Sequence, residues 1–121
     1  MNAIQIKNIT KRYKDVTALD DISFSFEFGR IYGFLGRNGA GKSTLINIIA
    51  NRIFADQGEV LIDGIPAKEN MGVHEKIFCM SEADLYDRDL KVKDHFKWTN
   101  RFYNDFDLDK AFELSKKFNL D

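Results

Sequence analysis

The chain has 121 residues, of which 44% are hydrophobic and 31% are charged, a composition typical of one soluble globular unit. Its 18 basic and 19 acidic residues give a formal net charge of -1, so the overall balance does not indicate nucleic-acid binding or an anionic membrane surface. The single cysteine, Cys79, excludes an internal disulfide, and no apolar run approaches the roughly 20 residues of a membrane span. We therefore expect any membrane contact to be made through a partner.

The first half of the chain has the pattern of three strands followed by a helix. Residues 3–13, AIQIKNITKRY, alternate loosely between apolar and polar side chains, and residues 21–29, DISFSFEFG, alternate cleanly, so both predict strands with one solvent-facing side. Residues 31–35, IYGFL, form a continuous apolar run that predicts a strand buried on both faces of a parallel sheet. After a glycine-rich segment, residues 43–54 have apolar side chains at helical spacing.

The second half predicts a hairpin, another strand and two amphipathic helices. A short apolar strand ends at Asp63-Gly64, a pair that commonly closes a hairpin. Residues 76–80, KIFCM, have the pattern of a buried strand. Apolar residues then recur at helical spacing over 92–103 and 108–115, with Asp107 as the candidate cap of the last helix.

The glycine-rich segment has the spacing Gly36-x-x-x-x-Gly41-Lys42-Ser43, which is that of a phosphate-binding loop. Its glycines permit backbone conformations in which successive N–H groups point at phosphate oxygens, and the following helix adds the positive end of its dipole. Lys42 supplies charge to the outer phosphates and is the candidate catalytic residue, and the Ser43 hydroxyl can coordinate Mg²⁺. Hydrolysis needs further groups that orient the attacking water. The predicted phosphate-binding residues are Gly36, Arg37, Asn38, Gly39, Ala40, Gly41, Lys42, Ser43 and Thr44.

Residues 11–50 and the segment GEVLIDG at 58–64 resemble the beginning of the ATP-binding subunit of an ABC transporter. The resemblance implies an α/β fold of the P-loop NTPase class: part of a RecA-like ABC ATPase core, a small antiparallel N-terminal β-sheet and the start of a helical subdomain. It also implies ATP and Mg²⁺ as cofactors. Tyr13 stands where the family carries an aromatic residue that stacks on adenine, a role that suits the face of a tyrosine ring.

The sequence departs from the family pattern at several positions. Ser81 stands where the family usually has a glutamine that contacts magnesium and the attacking water, and the adjacent Glu82 is either a metal ligand or a solvated loop acid. Arg37 replaces a common proline, but its side chain can point away from the phosphates. Lys91 stands where a hydroxyl residue often caps the next helix, so a weaker helix start is expected.

Three acid or base side chains receive no catalytic role. Asp63 ends an apolar strand, as a metal-binding aspartate would, but the following Gly64 favours a turn. His74 lies in a polar stretch and His95 on an amphipathic helix, where structural histidines are common.

The resemblance further implies motifs that the 121 residues do not contain: Leu-Ser-Gly-Gly-Gln, a strand ending in Asp-Glu, and a later histidine. We therefore expect residues 1–121 to be the N-terminal portion of one nucleotide-binding domain, able to bind nucleotide without hydrolysing it. The apolar segments 31–35 and 76–80 would lack neighbouring strands, which leaves apolar surface and sheet edges exposed. We therefore expect the chain to self-associate.

The family implies a cytoplasmic ATPase subunit, peripheral to the membrane, that couples ATP hydrolysis to transport. Its partners would be a membrane-spanning transporter subunit and a second nucleotide-binding domain, with no nucleic acid. Two alternatives remain: a soluble ABC-type ATPase acting on ribosomes or DNA, and another P-loop enzyme such as a kinase or a GTPase. The absence of Asn-Lys-x-Asp and the presence of Tyr13 argue against a GTPase.

Overall fold

The structure is a computed structural model that describes residues 1–37, 39, 41–80 and 89–120. Its residues divide into two compact units, Met1–Cys79 and Met80–Asp121. In chain order the described elements are β1 (Asn2–Tyr13), β2 (Val16–Glu27), α1 (Lys42–Ile49), β3 (Gln57–Ile62), β4 (Ile65–Pro66), α2 (Met71–His74), α3 (Val92–Phe102) and α4 (Leu108–Lys117).

The first unit is built on an antiparallel sheet with the strand order β2-β1-β3-β4. β1 and β2 are joined by a tight turn, and Tyr13 at the end of β1 pairs with Val16 at the start of β2. The alternating patterns therefore predicted both strands correctly, although β2 begins five residues earlier than expected. The expectation of a small antiparallel N-terminal sheet is confirmed.

The β3–β4 hairpin confirms that Asp63 is a turn residue. Asp63 and Gly64 both have positive φ, 51° and 77°, which is the backbone conformation of the tight turns that suit twisted hairpins. The Asp63 carboxylate accepts a hydrogen bond from the Lys76 ammonium at 2.9 Å. Its charge is therefore engaged in a surface ion pair.

The core of the first unit joins one face of α1 to the sheet. Ile6 and Ile9 of β1 are almost completely buried, and the buried cluster that contains them includes Leu45 and Ile48 of α1. These helix residues are three positions apart, so they share the apolar side of α1 that the sequence predicted. Burying this face fixes the start of α1 next to the first two strands.

Two strand predictions are wrong. Residues 31–37 and 76–80 are described and lie in neither a helix nor a strand, and Ile31 and Leu35 are almost completely exposed. An apolar run becomes a buried strand only when neighbouring strands supply hydrogen bonds and cover both faces. The strand pairs in the described part of the chain are all antiparallel, so they offer no parallel neighbour.

The second unit contains α3 and α4, both close to their predicted limits. The ring of Phe96 on α3 lies 5.7 Å from that of Phe112 on α4. The Asp107 carboxylate accepts a hydrogen bond from the Lys110 amide at 2.9 Å, which confirms Asp107 as the cap of α4. α3 begins after Lys91 without a capping side chain. None of the helices in the described ranges combines the length and the apolar character that a membrane crossing requires.

Candidate nucleotide-binding site

The amino end of α1 is open to an anion. The first hydrogen bond of the helix runs from the Leu45 amide to the Gly41 carbonyl oxygen at 2.9 Å, so the three preceding amides, at 42–44, have no acceptor within the helix. Gly41 offers no capping side chain, and the first turn carries no acidic residue. The free amides and the positive end of the helix dipole therefore lie together, and no carboxylate of the described residues caps them.

Gly41 is required at this position for two independent reasons. Its φ of +91° lies in the left-handed region, and a Cβ built on it would approach the Ala18 carbonyl oxygen to 2.4 Å. The same Cβ would lie 2.9 Å from Cδ2 of Leu19. The last glycine of the motif thus packs directly on β2, which fixes the position of the helix start relative to the sheet.

The Lys42 side chain is bonded to the first residue of the glycine-rich motif. Its ammonium group donates a hydrogen bond to the carbonyl oxygen of Gly36, the first residue of the motif. Lys42 is only partly exposed, and its side chain reaches back to the start of the motif. This arrangement holds a positive charge beside the free amides at the start of α1.

The structure brings most of those predicted site residues that it describes into one pocket of about 410 Å³. The pocket is lined by Tyr13, Val16, Ala18, Gly39, Gly41, Lys42, Ser43 and Thr44. Gly36 joins the site through Lys42, whereas Arg37 is exposed and does not line the pocket. The predictions for Asn38, Ala40, Ser81 and Glu82 lie outside the described residues.

Sequence reasoning did not predict Val16 and Ala18 as pocket residues. Both lie at the start of β2, and Val16 reaches the pocket because it pairs with Tyr13 across the β1–β2 turn. Small apolar residues in a strand carry no chemical signature of their own. The only available signal was their nearness to Tyr13 along the chain.

The residues present fit a nucleotide carrying Mg²⁺. Ser43 is exposed and lines the pocket, so its hydroxyl is accessible to an ion bound beside the phosphates. Across the described ranges, no group of three or more His, Cys, Asp or Glu side chains is placed to hold a metal ion. Magnesium typically uses one or two protein ligands and completes its shell with phosphate oxygens and water, which matches a single hydroxyl here.

One carboxylate near the Tyr13 end of the pocket has a shifted pKa. The hydrogen bond from the Arg12 amide to Asp56, helped by the Lys11 ammonium, holds the pKa of Asp56 below its usual value. Asp56 therefore remains ionised throughout the neutral pH range.

The sheet, glycine loop and following helix define an α/β protein of the P-loop nucleotide-binding class. Residues 19–120 match the sequence model of the ABC transporter family. The chain belongs to this family, and its fold is part of an ABC ATPase core.

Curated relatives agree with this assignment. The chain is 32% identical over 117 residues to the ABC transporter ATP-binding protein YtrB of Bacillus subtilis, covering 97% of this chain and 40% of YtrB. It is 32% identical over 127 residues to the ABC transporter ATP-binding protein NatA of the same species, covering 97% of this chain and 51% of NatA. The chain thus spans about half or less of the length of these relatives.

Solved structures give the same fold. A putative ABC transporter ATP-binding protein from Pyrococcus furiosus superposes with a TM-score of 0.71 at 30% identity, covering 84% of this chain and 48% of that one. A nucleotide-free ATP-binding cassette of an ABC transporter superposes with a TM-score of 0.55 at 36% identity, covering 58% of this chain and 28% of that one.

Proposed function

We propose that residues 1–121 form the N-terminal portion of one nucleotide-binding domain and carry the phosphate- and base-binding part of its ATP site. The observation that supports this most directly is the shared pocket, in which Tyr13 faces the same space as the amino end of α1. An aromatic ring and an anion-binding helix start together match the two ends of a nucleotide. Membership of the ABC transporter family supports ATP as that nucleotide.

Each group in the pocket has a distinct binding role in this proposal. The free amides at 42–44 donate hydrogen bonds to phosphate oxygens, and Lys42 exchanges the Gly36 carbonyl oxygen for a phosphate oxygen. The Ser43 hydroxyl holds Mg²⁺, which neutralises phosphate charge when bound. Tyr13 stacks against the adenine ring. Arg37 stays in solvent, so its replacement of the family's usual proline leaves binding intact.

For the intact protein we propose an ATPase subunit that drives transport through a membrane-spanning partner on the cytoplasmic side of the membrane. A second nucleotide-binding domain would complete the catalytic site by lending its signature loop to this ATP site. Neither the signature motif nor the Asp-Glu motif occurs in these 121 residues. The relatives' names, such as the petrobactin import ATP-binding protein YclP of Bacillus subtilis, 34% identical over 93 residues, favour transport over a ribosomal, DNA-directed, kinase or GTPase role. YclP matches 75% of this chain, which spans 37% of YclP.

Calorimetric titration with ATP and Mg²⁺ tests the binding proposal. We expect Lys42→Ala to weaken ATP binding at least about tenfold, because it removes a charge-assisted hydrogen bond worth about 1.5–3 kcal/mol. Lys116→Ala, on the exposed side of α4, is the control for the loss of one positive charge and should bind like the parent. Phosphate release measured in parallel should stay at background.

Equal ATP binding by the parent and Lys42→Ala would contradict the phosphate-binding role of the loop. An excess of GTP that displaces ATP with equal strength would contradict adenine recognition at Tyr13. Turnover by the chain alone would contradict the proposal that hydrolysis needs a second domain.

A further inference from the structure

A cation lies over the aromatic ring that lines the nucleotide pocket. The Lys11 ammonium is 5.4 Å from the centroid of the Tyr13 ring, within the range of a cation–π interaction. The Lys11 side chain is only 18% exposed, so water weakens this attraction less than it would at an open surface. The contact joins two residues at the end of β1, directly before the turn into β2.

Asp56 holds Lys11 in place. Its Oδ1 atom lies 3.4 Å from the Lys11 ammonium, and its Oδ2 atom accepts a hydrogen bond from the Arg12 amide at 2.8 Å. The Asp56 amide in turn donates to the Thr10 carbonyl oxygen at 2.9 Å. Asp56, in the segment after α1, therefore contacts three consecutive residues of β1, and the next residue in the chain is Tyr13. The lowered pKa of Asp56 keeps this anchor charged at neutral pH.

Tyr13 takes part both in the cation contact and in the lining of the pocket. Among the described residues, Tyr13 lines the nucleotide pocket and Lys11 does not. Tyr13 is 46% exposed, so it retains surface for a ligand while the Lys11 ammonium lies over its ring. A ring held in one orientation loses less conformational entropy when a flat ligand stacks on it.

We propose that Lys11, anchored by Asp56, is a positioning residue that orients the Tyr13 ring for stacking on a nucleotide base. This inference rests on the proposed function, since it assumes that the pocket binds a nucleotide with its base at Tyr13. It assigns base recognition to a group of three side chains, from β1 and the segment after α1, instead of to the tyrosine alone.

The test compares ATP with inorganic tripolyphosphate, both with Mg²⁺, on the full chain. We expect Lys11→Met to weaken ATP binding about three- to fivefold and to leave tripolyphosphate binding unchanged, the size expected for one partly exposed cation–π contact. Lys11→Arg keeps a cation and should restore the parent ratio of the two affinities. Asp56→Asn, like Lys11→Met, should lower the ratio of the ATP affinity to the tripolyphosphate affinity.

Two controls separate positioning from folding. Lys7→Met removes another β1 lysine, which pairs with Glu59 at 3.8 Å, and should leave the ratio unchanged. In a Tyr13→Ala background, Lys11→Met should have no further effect, because its action passes through the ring. Partial unfolding would lower both affinities together and would leave their ratio unaltered.

The outcomes distinguish this inference from the proposed function. A parent that binds ATP no more tightly than tripolyphosphate would overturn base recognition at Tyr13 and this inference with it. A parent that prefers ATP, with an unchanged ratio in Lys11→Met, would overturn the positioning role alone. The positioning role would also be overturned if Lys11→Met changed the ratio of the two affinities equally in the parent and in the Tyr13→Ala background.

Discussion

Gly41 and Gly64 have similar backbone conformations, but of the two only Gly41 is packed against a neighbouring strand, β2. Their φ values are +91° and +77°, and a Cβ at Gly64 would meet no atom within 4 Å. At Gly41 the same Cβ would overlap the Ala18 carbonyl oxygen. Alanine substitutions at these two positions therefore separate backbone strain from steric overlap.

We expect Gly64→Ala to lower the free energy of unfolding by about 1–2 kcal/mol, the cost of a left-handed conformation for a residue with a Cβ. Gly41→Ala should cost at least about 1 kcal/mol more, because β2 or the loop must move to relieve the overlap. It should also weaken ATP binding, whereas Gly64→Ala should not. Urea unfolding followed by circular dichroism, together with calorimetry, measures both effects. Equal stability losses in the two variants would show that the Ala18 contact is not a constraint.

At the residue scale, the sequence predicted six of the eight residues that line the pocket, but neither Val16 nor Ala18 nor the contacts that hold the site together. The spacing of the glycines, Lys42 and Ser43 is a local pattern that carries its own chemistry. The contact between Gly41 and Ala18, and that between Lys11 and Tyr13, depend on how β1, β2 and α1 pack. Such contacts join residues that no short motif connects, so they required the structure.

The two helices of the second unit differ at their amino ends. α4 begins with Asp107, whose carboxylate is bonded to the Lys110 amide, whereas α3 begins after Lys91, whose side chain makes no such bond. Lys91 has the extended backbone of a capping residue, with φ -73° and ψ 154°. Its positive charge also lies at the positive end of the helix dipole.

We expect Lys91→Ser to stabilise α3 by about 1 kcal/mol, because serine can accept a hydrogen bond from an amide of the first turn. Asp107→Ala should destabilise α4 by a similar amount and is the matched control of opposite sign. Amide hydrogen exchange should show roughly fivefold slower exchange in α3 of the first variant and faster exchange in α4 of the second. Unchanged exchange in α3 of Lys91→Ser would contradict the capping argument.

At the element scale, the sequence predicted correctly those helices and strands that are stabilised by residues close to them in the chain. The alternating strands β1 and β2 pair across a tight turn, and the amphipathic helices α1, α3 and α4 show their apolar faces within their own residues. The run 31–35 needed parallel neighbours to become a strand, and it has none in the described residues. The four residues of α2 form little more than one turn, which is too short for a periodic pattern.

The first unit carries a cluster of four aromatic rings from β2 and the segment that follows it. Phe24 and Tyr32 lie edge-on to the ring of Phe26 at 4.9 Å and 5.0 Å, and Phe34 lies 5.7 Å from it. Phe26 itself is buried, but the three surrounding rings are each more than one-third exposed. The exposed Ile31 and Leu35 flank Tyr32 and Phe34 of this cluster along the chain. Contiguous apolar surface of this kind promotes association in water.

We predict that the chain self-associates through this surface. Light scattering should give a mass that rises with concentration above the 14.0 kDa of one chain. Replacing Ile31 and Leu35 together with asparagine should lower the mass toward that of one chain and reduce the binding of hydrophobic dyes, because both side chains are almost completely exposed and support no core contact. Met71→Gln, which removes a similarly exposed apolar side chain from α2, should leave the mass unchanged and is the matched control.

A parent chain that stays at 14.0 kDa at every concentration and binds no dye would contradict the prediction. A parent that associates equally with and without Ile31 and Leu35 would place the contact elsewhere, at the exposed edges of β2 or β4.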